Sequence, residues 1–471
     1  LTTEPGNRKL ETRNSPPHVS PARAAAFDIL LRVERESSYA SDLLHSAAYE
    51  RLSAADHALA TELTMGVLRW RSLLDEAIAH ASSQPLSKLD LEILLALRIA
   101  LYQLRHLDRI PARAAIHESV ELVKRSRKRS AAPFVNAVLR KLSATAPATP
   151  ASSALEETSS SEAIARAYAH PPWLVERWAT HYGLAAAQQI CQYNQSVPTT
   201  AIRLRDATVE TELTAEGIHL TPGALLSSAR RVNAGDITQT RAFRNGRIVI
   251  QDEASQLVAA LVGPGERILD CCAAPGGKTR FIADRNPNAK ITAVELHPHR
   301  ARLMEKMLRP VNRDSNPDHS GDIEILVADA RALPTNPAFD RVLADVPCSG
   351  TGTLARNPEI KWRLQPTDLL DLQARQLAIL QSAMYQVAPG GRLIYSTCSL
   401  EKEENEDVVT QALAGNNSFD VLDARTELDQ LKEEKELAWP DLDSLTTGPY
   451  LRTLPGIHPS DGFFAAILKR I

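Results

Sequence analysis

Two cysteines sit where a strand hands over to a turn. In Ala344-Asp-Val-Pro-Cys-Ser-Gly-Thr-Gly352 an apolar strand end runs into a Pro-Cys turn, which places Cys348 just beyond the acid Asp345. In Leu393-Ile-Tyr-Ser-Thr-Cys-Ser399 a second strand end carries Cys398 among Ser396, Thr397 and Ser399, hydroxyls that tolerate a developing charge. The thiolate is the nucleophilic form of cysteine, and turns rich in N–H groups favour it. Away from such an edge a cysteine behaves as a small inert hydrophobe, which is the reading for Cys191, Cys271 and Cys272. A third stretch, Ile268 to Thr279, reads as strand, Gly-rich turn and helix. Gly276 and Gly277 have no Cβ, so backbone can approach a ligand closely there, and the helix start adds unpaired N–H groups and the positive dipole end. The turn runs from Cys272, whose backbone would face the ligand, through Ala273, Ala274, Pro275, Gly276 and Gly277 to Lys278. It lacks the third spaced glycine of a dinucleotide fingerprint and points to a smaller adenosine-containing ligand. The next apolar strand, Lys290 to Glu295, ends in an acid placed to read a ribose hydroxyl pair.

A thiolate beside an adenosine-type ligand and a carboxylate suggests one reaction. Carbon 5 of cytosine is a poor nucleophile. Addition of a thiolate at carbon 6 makes carbon 5 enamine-like and able to attack a methyl sulfonium, and loss of the carbon-5 proton with expulsion of the thiol restores the ring. This is covalent catalysis, one difficult step divided into easier ones. Asp345 could hold the N3/N4 edge and stabilise charge building there. Two thiols allow one to attack and one to assist release; their spacing leaves open which does which.

The elements that must position these groups follow from patterning. Apolar strands alternate with helices at Arg267–Cys271, Lys290–Glu295, 323–329, 340–345, Arg392–Thr397 and Phe463–Leu468. Such alternation predicts a mostly parallel sheet covered on both faces, with ligands at the carboxyl ends of its strands. Those ends read Asp270, Glu295, Asp329, Asp345 and Cys398. Each acid taken singly reads as a helix cap; four at successive strand ends are hard to explain by packing. This region is expected to span 251–471 as a Rossmann-like α/β domain. Residues 163–250 read as a small α+β domain, opened by Pro171-Pro-Trp and containing the strand Thr200–Arg205. The Ala-, Thr-, Pro- and Ser-rich stretch 146–162 reads as a linker, and 1–19 as a disordered lead-in that is neither signal peptide nor helix. Residues 20–145 read as all helix. Pro21 is suited to a first helical position, and Ser53 and Ser87, with Asp56 and Asp90, resemble capping boxes. The run from Leu89 to Leu104 is apolar nearly all round and belongs in the middle of a bundle. The basic run Lys124-Arg-Ser-Arg-Lys-Arg129 is either a solvated helix end or a phosphate contact. Trp362, flanked by Lys361 and Arg363, is the best RNA-facing loop of the second half, and the acids of 401–407 read as a solvated helix face.

Composition sets the bounds. The 471 residues suffice for two or three domains, and 44% apolar with 24% charged residues is ordinary for a globular chain. The net charge of −3 gives no global pull on nucleic acid, so any such contact must be a local patch. Apolar runs stay short of the ~18 residues of a membrane span. Five cysteines without C-x-x-C spacing argue against a disulfide framework or a zinc site, and His297, His299 and His458 form no metal-ligand pattern, so no metal is expected. A reducing, cytoplasmic setting and a monomer are expected.

Asp270-Cys-Cys-Ala-Ala-Pro-Gly-Gly-Lys-Thr279, Asp345-Val-Pro-Cys-Ser-Gly-Thr-Gly352 and Tyr395-Ser-Thr-Cys-Ser399 resemble the motifs of RNA cytosine-5 methyltransferases of the RsmB/Sun/Fmu type. Asn357-Pro-Glu-Ile-Lys-Trp362, Glu403-Glu-Asn405 and Asp461-Gly-Phe-Phe464 extend the likeness, and residues 20–145 resemble the NusB-like RNA-binding domain that precedes the catalytic half in this family. The resemblance implies S-adenosylmethionine on the Cys272–Lys278 turn, with Glu295 on the ribose, Asp329 near the adenine and Asp345 near the methionine and the target base. It implies Cys398 as nucleophile and Cys348 as the thiol assisting release, the reverse of DNA cytosine-5 methyltransferases, and 16S ribosomal RNA, not DNA or a membrane, as partner. Glu295 stands where the family commonly has Asp, and Val346 where it has Ala. The alternatives are a non-catalytic NusB-like RNA-binding factor in transcription or ribosome assembly, an amino-group methyltransferase and an NAD-type oxidoreductase. Intact thiols and strand-end acids argue against the first, Asp-Val-Pro-Cys in place of a Pro-Pro-aromatic motif against the second, and the turn against the third.

Overall fold

The computed structural model describes residues 19–144, 160–205, 208–308, 322–334 and 339–471. The expected lead-in 1–19 up to residue 18 and the expected linker 146–162 up to residue 159 lie outside them, while Ser161 and Glu162 of that linker open a helix, Ser161–Ala167. The described residues fall into two compact units that divide near residues 159–169.

The first unit is helical: α1 Pro21–Glu36, α2 Ala40–Leu44, α3 Ala54–Ala81, α4 Leu91–His106, α5 Ala112–Arg125 and α6 Ala132–Ala144. Helix α1 opens with Pro21, whose missing N–H is one the first turn could not have used. At α3 the Ser53 hydroxyl accepts the Asp56 amide at 3.1 Å, satisfying one of the free donors. Ser87 behaves differently from its expectation. It lies in a 3-10 turn, Leu86–Lys88, and α4 starts after Asp90 without a side-chain cap. Residues Leu95 to Gln103 of α4 are all buried, because α1, α3, α5 and α6 surround it. Two polar links tie this centre together. Arg98 pairs with Asp75 through two bonds of 2.7 Å, and Arg23 joins Gln103 at 2.7 Å and Glu118 at 2.9 Å.

The second unit holds two sheets. Strands β1 Thr200–Leu204, β2 His219–Pro222, β3 Ala229–Ala234 and β4 Ile248–Ile250 form a small antiparallel sheet in the order β2-β3-β1-β4. Its core is Ile202, Val209, Leu213, Ile218, Ile237, Ala242 and Ile248. The large sheet comprises β5 Arg267–Asp270, β6 Lys290–Glu295, β7 Asp322–Val327, β8 Phe339–Asp345, β9 Val387–Thr397, β10 Phe419–Leu422, β11 Thr446–Thr447, β12 Tyr450–Thr453 and β13 Phe463–Arg470. Its order is β11-β12-β13-β9-β8-β5-β6-β7, with β10 also paired to β13. Strands β5 to β9 are parallel, and β13, β12, β11 and β10 extend them antiparallel. Alternate residues feed two cores. Ile268, Leu343, Ile394 and Ala465 belong to one, and Leu269, Val342, Leu393, Tyr395 and Phe464 to the other. A sheet buried on both faces needs such continuous apolar runs.

Asp270 departs from that apolar pattern at the end of β5, fully buried with one oxygen 2.7 Å from the Thr279 hydroxyl. Burial, only partly offset by that bond, raises its carboxyl from 3.8 to about 6. The folded chain therefore holds this proton more tightly than the unfolded one. The stabilisation is full below about pH 4 and is lost as pH rises through 6.

Two predictions follow from these burials. Leu101→Ala should destabilise the first unit by about 2–5 kcal/mol, measured as lost hydrogen-exchange protection across α4. The unaltered chain should lose about 1 kcal/mol of stability relative to Asp270→Asn between pH 5 and pH 7, read by denaturant titration at both values; a constant difference contradicts the assignment.

Candidate active site

The register of one strand pair builds the centre of the site. Strands β8 and β9 run parallel with Ala344 opposite Tyr395 and Asp345 opposite Ser396. Both chains therefore leave the sheet at the same edge, and the Val346 amide still reaches the Ser396 carbonyl at 3.0 Å. Cys348 and Cys398 follow within three residues of that last pair, and their sulfurs stand 3.3 Å apart as free thiols. Three backbones then lock together. The Gly352 amide donates to the Cys398 carbonyl at 2.9 Å, and the Gly462 amide to the Gly352 carbonyl at 2.8 Å. A Cβ at Gly352 would lie 2.1 Å from the Gly462 oxygen, so only glycine fits. The hydrogen bond with Cys398 and burial push the Cys348 thiol well up, with the Cys398 and Glu404 charges adding to the effect. Burial also raises Cys191, Cys271 and Cys272.

One cation lies beside the thiols. The Lys278 Nζ is 2.8 Å from Asp345 Oδ2 and 5.0 Å from the Phe463 ring centre. Burial works against the ammonium, but Asp345 outweighs it, and Cys398 adds to the upward shift. The Ser396 hydroxyl donates to Asp345 Oδ1 at 2.7 Å. Both oxygens of Asp345 are thus held, and each keeps a lone pair for a further donor.

The turn before Lys278 fits an adenosylated ligand. Gly276 caps the Gly277–Arg285 helix at φ 110°, a left-handed conformation that side chains avoid, and its missing Cβ would meet Met304 at 3.1 Å. The first N–H groups of that helix have no intrahelical acceptor and point out of the turn that Cys272, Ala273, Ala274 and Pro275 enter. Glu295 ends β6 with Oε1 fixed by the His297 amide at 2.7 Å, while Oε2 is 3.9 Å from Arg300. A carboxylate steadied at one oxygen suits a pair of hydroxyl donors. Leu296 and Val327, 50% and 49% exposed, leave apolar surface at the ends of β6 and β7. Neither was singled out in the sequence. Asp329 sits two residues past β7, capping a 3-10 turn and pairing with Arg331 at 2.6 Å. That hydrogen bond holds its carboxyl below the usual range.

Two surface expectations are corrected. Residues 401–407 are not a solvated face: Glu401, Glu404 and Asn405 are buried. Glu401 bonds Arg177 at 2.7 Å and the Trp178 indole at 3.0 Å, and Glu404 reaches Ser349 and Ser399 beside the two thiols. Lys361 is likewise buried, with Nζ 5.0 Å from the Trp362 ring, so that loop does not offer it to solvent. In the helical unit the basic run lines a cavity of about 450 Å³ with Lys124, Arg125, Arg127, Arg129 and Ser130. Lys124 is tied to Glu121 and Lys128 to Asp90, while Arg125, Arg127 and Arg129 are exposed. Among the described residues no group of three or more His, Cys, Asp or Glu could hold a metal ion, and no helix is long and apolar enough to cross a membrane.

A family model described as 16S rRNA methyltransferase RsmB/F matches residues 259–469, a NusB family model matches 20–144, and an RsmF/B-like ferredoxin-like domain model matches 170–236. The probable ribosomal RNA small subunit methyltransferase B of Bacillus subtilis is 33% identical over 95% of this chain and 98% of its own length. The ribosomal RNA small subunit methyltransferase B of Vibrio cholerae is 30% identical over 95% and 97%. Among solved structures, PH0851 superposes with a TM-score of 0.77 at 23% identity over 97% of this chain and all of its own. NSun6 of Pyrococcus horikoshii does so with 0.52 at 19% identity over 64% and 98%; at such identities these two speak to the fold alone. The chain belongs to the 16S rRNA methyltransferase RsmB/F family, with a NusB-type helical domain, a ferredoxin-like domain and a Rossmann-like domain whose cofactor is S-adenosylmethionine.

Proposed function

We propose that the chain methylates carbon 5 of a cytidine in 16S ribosomal RNA through a transient bond between Cys398 and carbon 6 of the base. The observation that carries this reading is the pair of free thiols 3.3 Å apart at the carboxyl edge of the sheet, beside the Lys278–Asp345 ion pair. A single thiol could be packing; two in contact beside a fixed carboxylate suit an addition followed by an elimination. The names of the curated relatives support ribosomal RNA of the small subunit as the substrate class.

The residues divide the work as follows. Cys398 attacks carbon 6, with the Lys278 ammonium close by. Asp345, held by Lys278 and Ser396, accepts from the N4 amino group and so orients the base for attack. The turn from Cys272 to Lys278 holds S-adenosylmethionine, with Glu295 on its ribose and Asp329 near its adenine. That group supplies an electrophilic methyl when bound. The carbon-5 proton passes to water, and Cys348, as the thiol 3.3 Å away, stabilises the departing Cys398 thiolate, which frees the product. In the helical unit the exposed Arg127 and Arg129 contact phosphates of the RNA.

Cys398→Ala should reduce methyl transfer to RNA by at least about a thousandfold while S-adenosylmethionine still binds. Cys348→Ala should instead accumulate a protein–RNA adduct that survives denaturing electrophoresis. Adduct from Cys398→Ala and none from Cys348→Ala would mean that the two roles are exchanged. Replacing Arg127 and Arg129 together by Glu should weaken RNA binding and lower the slope of log affinity against log salt by about 2; an unchanged slope removes those residues from the interface.

A further inference from the structure

The short turn after β9 contains an acid that the reaction above does not use. Glu404 is completely buried. Its Oε1 accepts the Ser349 amide at 2.8 Å and the Gln376 side-chain amide at 2.8 Å. Its Oε2 accepts the hydroxyls of Ser349 and Ser399. Ser349 follows Cys348 and Ser399 follows Cys398, so one carboxylate grips the neighbour of each thiol. Gln376 also donates to the Pro347 carbonyl at 3.0 Å, which fixes the other side of Cys348. Asn405 completes the pattern around Cys398: its Oδ1 accepts the Thr397 hydroxyl at 2.5 Å, and its Nδ2 donates to the Ser399 carbonyl at 2.9 Å.

A carboxylate withdrawn from water is expensive unless every lone pair is used, and an apolar side chain would fill the same space at less cost. Here the donors come from the residues flanking the two thiols and from Gln376, which itself bridges to that turn. Charge is arranged with the same asymmetry. The Glu404 carboxylate acts on Cys348, whereas the Lys278 ammonium, on the far element, acts on Cys398. The remaining titratable groups facing Cys348 are Cys398 itself and Tyr395 of β9, whose hydroxyl donates to the Glu404 backbone carbonyl at 2.6 Å; the packed helix Asp368–Gln386 presents the neutral Gln376.

We propose that Glu404 is a positioning residue for the two-thiol reaction: its carboxylate locks the Cys348 and Cys398 turns in one spacing and sets a negative charge against Cys348, so that only Cys398 faces the base as an attacking sulfur. This rests on the covalent reading given above. Glu404 touches neither base nor cofactor; it acts through Ser349 and Ser399.

The test compares the full-length chain with Glu404→Gln in two measurements. Peptide-resolved alkylation by iodoacetamide across pH reads each thiol without any RNA. The midpoint for Cys348 should fall by at least about half a pH unit in Glu404→Gln. Single-turnover methyl transfer should slow at least about tenfold, with affinities for RNA and S-adenosylmethionine held within about twofold. An unmoved Cys348 midpoint overturns the charge assignment, and an unchanged transfer rate overturns the positioning assignment. Should Glu404→Gln not fold, Ser349→Ala removes one arm of the clamp and keeps the charge; it should slow transfer at least about threefold, and an unchanged rate again overturns the proposal. Failure of the covalent reading itself would show in the unaltered chain, which would then form no adduct with 5-fluorocytidine RNA, whereas failure of the present proposal shows only in the variants.

Discussion

The parallel pairing of β8 with β9 is the constraint on which the site depends. Opposing Asp345 and Ser396 in one register sends two chains out of the sheet side by side. Each then has only a few residues in which to present a thiol. A slip of one residue would turn every side chain of β9 to the other face and carry Tyr395 from its own core into the opposite one. Apolar alternation on both faces forbids that slip, since Leu393 and Tyr395 feed one core and Ile394 the other. The contact between Cys348 and Cys398 is thus a consequence of core packing. Antiparallel β13 on the far side of β9 reinforces it, with Phe464 opposite Thr397 and Ala465 opposite Ser396.

Charged groups then surround the two thiols unequally. In a partly dry pocket a unit charge acts over longer distances than in water. Lys278 and Asp345 form an ion pair on one side of the thiols, and Glu404 lies under the Cys348 turn. Neighbouring contacts keep the frame stiff. Arg356 joins Asp461 at 2.8 Å and Asp252 at 3.2 Å, and the buried Glu253 collects the Leu225 and Leu226 amides and Arg231. These bonds tie the small sheet to the edge where the thiols lie.

Much of this was legible before any coordinates, for physical reasons. Alternating apolar strands and helices specify a doubly covered parallel sheet, and the strand-end acids Asp270, Glu295 and Asp345 stand at the ends of β5, β6 and β8. The all-round apolar run from Leu89 marks the helix that the others enclose. What composition could not convey was burial decided by distant partners. The acids of 401–407 look solvent-facing in sequence, yet Glu404 is drawn inward by donors from Ser349 and Gln376, far away along the chain. Lys361 misled in the same way. The strands β10, β11 and β12 are two to four residues long, too short for a period-two pattern to register. Ser87 failed as a cap because a 3-10 turn ends before α4 starts. The position of Glu404 and Asn405, a few residues beyond Cys398 and Ser399, was the signal that could have marked them as part of the site.

The central claim is that the sulfur of residue 398 bonds to the base. Incubating the full-length chain and S-adenosylmethionine with small-subunit ribosomal RNA containing 5-fluorocytidine tests it directly, because fluorine at carbon 5 cannot leave as a proton does and the adduct persists. Proteolysis and mass spectrometry should find the nucleotide on the peptide containing Cys398. A nucleotide on the Cys348 peptide, or none on either, would contradict the account.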